Sequence, residues 1–168
     1  MLKKIYFSLF IALITAQAHG MSTLENQLAH IKNEMLVIKR AWNTARIHIK
    51  LAQKTAPTLY QSIQPIMQRA LESSEFITYL QNTVTTQFEA IANRSMSFNS
   101  VKTEFNFSTF FPKTTIHSYG ANLFSAMARK QCYLLLGQKL AQKMQELKTE
   151  IQAAQQTPTS FPVFEYKR

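Results

Sequence analysis

From Ser22 onward, apolar residues recur at spacings that alternate four and three: Leu24, Leu28, Ile31, Met35, Ile38, Trp42, Ala45, Ile49 and Ala52. This heptad seam predicts one amphipathic helix over 23–55, roughly 50 Å long at 1.5 Å per residue. Ser22 with Glu25 three places on reads as a capping box at its start, and Pro57 ends it. So long a helix exceeds what one small core needs. Part of it is expected to lie against another long element or a partner.

Leu59, Ile63, Met67 and Ala70 predict a second helix over 57–72, kinked or split at Pro65, whose ring removes a backbone N–H. Ser73-Ser74-Glu75 caps a third, over 75–93, with Ile77, Leu80, Val84, Phe88 and Ile91 on one face. At Ser95 the period changes. Val101, Thr103, Phe105, Phe107 and Thr109 alternate with Lys102, Glu104, Asn106 and Ser108, and Met96 and Phe98 alternate ahead of Asn99-Ser100. A period of two predicts strand, so a small β-hairpin or strand insertion is expected near 96–110. Leu123, Met127, Leu136, Leu140, Met144, Leu147, Ile151 and Ala154 then mark a second long helix over 119–156, closed by Pro158. The tail after it carries Phe161, Phe164 and Tyr166, which are expected to dock because together they would make a sticky patch. The fold class is mainly α: a bundle of about four helices, two of them long, with a β insertion and an extended C-terminal tail.

The first residues have a different logic. Lys3 and Lys4 precede an apolar run over 5–16, and Ala16-Gln17-Ala18 supplies a small-x-small cleavage pattern. This reads as a secretory signal over 1–18, too short for the roughly 20 apolar residues of a bilayer span. The remainder, 19–168, fits one domain. The protein is expected in a bacterial periplasm or outside the cell. No cysteine follows the apolar run, so a lipid-anchored form is not expected. Cleavage leaves seventeen basic against nine acidic residues, a net +8.

Composition removes most catalytic designs. All nine acids are glutamate, which excludes a Ser-His-Asp triad, an aspartic dyad and an EF-hand loop. Three glycines cannot build a Gly-rich phosphate loop, and the lone Cys132 allows neither an internal disulfide nor a cysteine zinc site. Cys132 lies in an apolar helical stretch before Tyr133-Leu134-Leu135-Leu136, so core packing is expected over nucleophilic work. His30 and Glu34 are four apart and could share a metal ion, but with no second pair the coordination would be incomplete; an ordinary contact along the helix is expected. His19, as a mature N-terminus, could chelate copper only with another histidine nearby, on a fold unlike this one. No cofactor, metal or catalytic residue is assigned, and a hydrolase built on glutamate and histidine ranks last.

The informative feature is charge on the first helix. With Leu28 at heptad position a, Lys32, Lys39 and Arg46 fall at e, while Lys50, Arg40 and Lys54 fall at b and f, which adjoin e on the wheel. Six cations thus share one face, while Glu34 lies on the other side. Surfaces that merely dissolve a helix mix signs, and this one does not. Leu36 and Ile47 on the same side add apolar contact, the combination found where a helix lies on a lipid interface. The expected function is therefore an exported, non-enzymatic basic protein binding an anionic partner: phospholipid headgroups first, acidic polysaccharide or acidic protein behind. Membrane contact would be peripheral. Nucleic acid would suit the charge but not the compartment. The alternative is a structural or assembly subunit of a bacterial envelope or secretion apparatus, with the helix over 23–55 docking on another protein. The exported protein is expected to begin at His19 or, if Ala18-His19-Gly20 is cut instead, at Met21. N-terminal sequencing checks this, and an intact Met1 would make the segment an anchor.

Overall fold

The computed structural model describes the backbone of residues 2–100, 104–111 and 117–156, and side chains from Gly20 onward. It is mainly helical: α1 (Leu2–Thr55), α2 (Pro57–Leu71), α3 (Ser74–Ala92), the single turn α4 (Phe107–Phe110) and α5 (Ser118–Gln156). α1 and α5 are the long pair. The Tyr119 phenol, at the start of α5, donates to Ala52 O near the end of α1 at 2.8 Å, while Gly137 faces Ile38 farther along. The two helices therefore run antiparallel. α3 runs parallel to α5, since Phe76 meets Phe124 and Gln87 meets Cys132.

The heptad seam faces this core. Ile31 and Ile38 are 0 % and 2 % exposed, Ala45 is buried, and Leu24, Leu28, Met35, Ile49 and Ala52 are partly buried against the cluster. Leu136, Leu140 and Leu147 answer from α5. Each such side chain contributes about 1.5–3 kcal/mol by leaving water, so the seam is a large share of what orders α1. Trp42 is only partly buried, on the edge of the seam.

α1 does not start at Ser22. It runs unbroken from Leu2, and Ser22 accepts from Asn26 Nδ2 at 3.5 Å instead of capping. The only helix-weak residue between is Gly20, whose cost of about 1 kcal/mol is too small to end a helix that apolar residues extend. α2 likewise continues through Pro65. Both Pro65 and Gln61, whose carbonyl loses its partner, lie on the exposed side, where the lost bond costs least.

Ser73 caps α3, accepting from Phe76 N at 3.3 Å. Its buried line is Phe76, Leu80, Val84, Gln87 and Ile91, with Ile77 39 % exposed. Leu80, Val84 and Ile91 are buried as expected, while Phe76 takes the place of Ile77 because it has the aromatic partners: Phe105, Phe110 and Phe124 all lie 5.4–5.9 Å from its ring.

The expected β insertion is corrected. Among the described residues no strand forms: 96–110 contains a 3-10 turn, Phe98–Ser100, and α4, while 101–103 lie outside the described residues. The period-two burial itself is real, since Phe105 and Phe107 are each 2 % exposed around an exposed Asn106. A strand also needs a ladder partner, and none forms among the described residues. Asn106 Oδ1 instead accepts from Ser108 N (3.1 Å) and Ser108 Oγ (2.8 Å), starting a turn that gathers Phe107, Phe110 and Phe111 around Phe124. The aromatic tail expected to dock lies outside the described residues.

The Phe76 cluster is the anchor of the segment between α3 and α5. Phe76→Ala is expected to destabilise by about 3–5 kcal/mol as a large core truncation. Ile77→Ala, beside it but half exposed, is expected to cost about 1 kcal/mol or less. Urea unfolding of the two variants checks which of the two residues the core holds.

Candidate functional site

Three polar residues beside the seam fix the roll of α1. Gln27 Nε2 donates to Ala92 O at 3.2 Å, His30 Nε2 bonds Ile91 O at 3.0 Å, and Glu34 Oε2 accepts from Phe98 N at 2.8 Å. His30 therefore carries its proton on Nε2, because a carbonyl only accepts. Ile91 and Ala92 close α3, whose last carbonyls have no partner inside their own helix. Arg94, in the left-handed region at φ 57°, turns the chain there, and Ser95 N returns to Ala90 O. The expected contact between His30 and Glu34 is thus corrected: each reaches across to a different backbone group. Glu34 is 9 % exposed and committed to the loop.

The basic face lies on the other side of α1 from Glu34 and has no counter-charge of its own among the described residues. Lys32, Lys39, Arg40, Arg46, Lys50 and Lys54 are all exposed on α1. Among the described residues none of the six has an acidic partner; the ion pair that forms is Lys143–Glu146 on α5, at 3.3 Å. Arg46 lies over the Trp42 ring at 5.7 Å from its centre. Between the cations stand Leu36 and Ile47, 56 % and 61 % exposed, with Leu51, 55 % exposed, at the margin of the face. The face is cationic and greasy at once.

One edge of this face opens into a groove of about 650 Å³ between α1 and α5, lined by Met35, Leu36, Ile38, Trp42, Leu134, Gly137, Ala141 and Met144 among others. Lys32 and Lys39 stand on its rim. Trp42 Nε1 is shielded from solvent and has no acceptor among the described residues. An unpaired buried donor costs about 1–3 kcal/mol. On the wheel of α1 the opposite flank of Ile38 carries Ala41, Thr44 and His48, which line a second, more polar groove of about 520 Å³ with Asn122, Ser125 and Arg129.

Cys132 is fully buried, its thiol 3.9 Å from Gln87 Oε1. Burial pushes its pKa up to about 12. Burial likewise raises Tyr133, while the Arg129 charge acts the other way. A thiol kept neutral is a poor nucleophile, in line with a packing role. Among the described residues no three His, Cys, Asp or Glu side chains come close enough to hold a metal ion, and no helix is long and apolar enough to cross a membrane.

The sequence pattern places the six cations together, and the structure keeps them so. The groove was not legible there, although Gly137 and Ala141, small residues four apart on α5, are its signature. Comparison with protein-family models, curated proteins and solved structures returns no match.

Cys132 is expected to resist thiol reagents at pH 8 in the native protein and to react fully once unfolded. Its folded pKa is raised, so the stability it contributes is whole below about pH 9, its ordinary value, and is lost as pH rises toward about 12. Tyr133 acts in the same direction. Melting curves across this range should fall more steeply for the native sequence than for Cys132→Ala.

Proposed function

We propose that this is an exported, periplasmic or secreted protein that acts by binding and not by catalysis, and that the basic face of α1 holds anionic phospholipid headgroups. One observation supports this above the others. Six exposed cations lie along one helix without acidic partners among the described residues, and exposed Leu36 and Ile47 stand among them, with Leu51 at the margin. Lysine and arginine near an anionic membrane contribute about 1 kcal/mol each, and aliphatic side chains at the same level add burial in the acyl boundary. Acidic polysaccharide would answer the charge but not the aliphatic residues. Contact would be peripheral.

A docking role in an envelope or secretion assembly is the second reading, and the open groove between α1 and α5 is what favours it. The two readings differ in their response to salt. Headgroup attraction falls as the Debye length shrinks from about 10 Å at 0.1 M to about 3 Å at 1 M, whereas apolar helix docking persists.

Replacing Lys39, Arg46 and Lys50 by Glu is expected to abolish cosedimentation with phosphatidylglycerol vesicles while leaving the melting temperature nearly unchanged, since all three are exposed. The control is the same change at Lys139, Lys143 and Lys148 on α5, where Lys143 is already paired to Glu146. It should retain most binding. Equal loss in both would reduce the effect to net charge, and no loss in either would return the face to simple solvation and leave the assembly reading in front.

A further inference from the structure

We infer that the groove between α1 and α5 takes one acyl chain of an anionic phospholipid, with Lys32 and Lys39 on its rim holding the phosphate. This rests on the lipid reading above and extends it to which part of the lipid enters the protein, and where. The groove floor is apolar and adaptable: Met35 and Met144 line it beside Ile38. Unbranched thioether side chains fit irregular chains well. Gly137 keeps it open, and its volume of about 650 Å³ lies within the range of small-molecule sites. Leu36 and Leu134 stand 56 % and 48 % exposed on its two walls, apolar surface that an occupant would cover. Among the described residues no carboxylate lines it and neither rim lysine has an acidic partner. The occupant therefore joins an apolar body to a negative head. A second copy of this chain would set the same cations against each other, and a neutral helix would leave both lysines unanswered. Lysine stems can lie along the apolar walls while their ammonium groups stay at the headgroup level.

Trp42 is the only tryptophan and lines the groove, so it reports the occupant directly. Full-length protein is mixed with vesicles of phosphatidylglycerol and phosphatidylcholine whose chains are brominated at mid-length, and pelleting is measured alongside Trp42 emission. The expected result is pelleting with emission lost to bromine and kept with unbrominated chains. Gly137→Leu, and separately Ala141→Phe, should fill the groove and restore emission while pelleting persists. Lys32→Glu with Lys39→Glu should weaken binding about tenfold or more. Pelleting with Trp42 unquenched overturns this inference and leaves the headgroup reading standing; no pelleting overturns both. Equal quenching in both groove-filling variants would show an indole merely resting at the interface, and also overturns it. So would a red shift of Trp42 in lipid-free protein on dilution, which marks a second copy as occupant. The same shift on changing Phe161, Phe164 and Tyr166 to Ser would mark the chain's own tail.

Discussion

The antiparallel contact between α1 and α5 decides which face of each long helix is left to solvent. Ile31, Ile38 and Ala45 recur every seven residues and are all buried, Ile31 and Ile38 in one core cluster with Leu136 and Leu140. Once that line is buried, the positions roughly a third of a turn away on α1 have no freedom of placement: Lys32, Lys39 and Arg46 must stand on one flank, Ala41, Thr44 and His48 on the other. Gln27, His30 and Glu34 then lock the roll, because each is tied to a backbone group near the end of α3 or just beyond it. Moving the seam by one position would break all three bonds and bury a lysine, which costs far more than it returns.

Glu34 shows how a structural bond can shape an electrostatic surface. It is the one acid between Lys32 and Lys54, and it stands three or four residues from none of the six cations, on the other side of the helix. Here it is buried and accepts from Phe98 N. Its charge still contributes to the field, but it is not available on the exposed face for pairing. Position g thus both lets Glu34 hold the 3-10 turn and keeps it off the basic face.

What was legible in the sequence followed from periodicity with a single possible partner. The α1 seam, the α5 line and the Ser73 cap need only local spacing and a helix to face. The segment over 96–110 was not legible because Phe105 and Phe107 satisfy a period-two pattern whether they join a ladder or drop singly into an aromatic cluster. Only the neighbours decide, and Phe76 and Phe124 are distant in sequence. The start of α1 failed for a related reason: a capping box is a permission to begin a helix, and Ser22 does not use it when helical residues already precede it. The basic face was legible as a set of positions. Its apolar groove was not, since it depends on where Gly137 of α5 meets Ile38 of α1.

The geometry of the cations also bears on the kind of anion they suit. Lys32 to Lys54 spans about 33 Å along a straight helix, several times the Debye length of about 8 Å at physiological salt. Apart from the adjacent Lys39 and Arg40, successive cations are four to seven residues apart, about 6–10 Å along the axis or roughly one Debye length, so their mutual repulsion is small. A compact anion would meet one or two of these charges and gain little. An extended anionic surface meets all six at once, and contributions too small singly add along the row. A rod of cations with aliphatic residues between them is therefore matched to a surface and poorly matched to a point. On that ground the proposed phospholipid surface would suit this face better than a small acidic ligand.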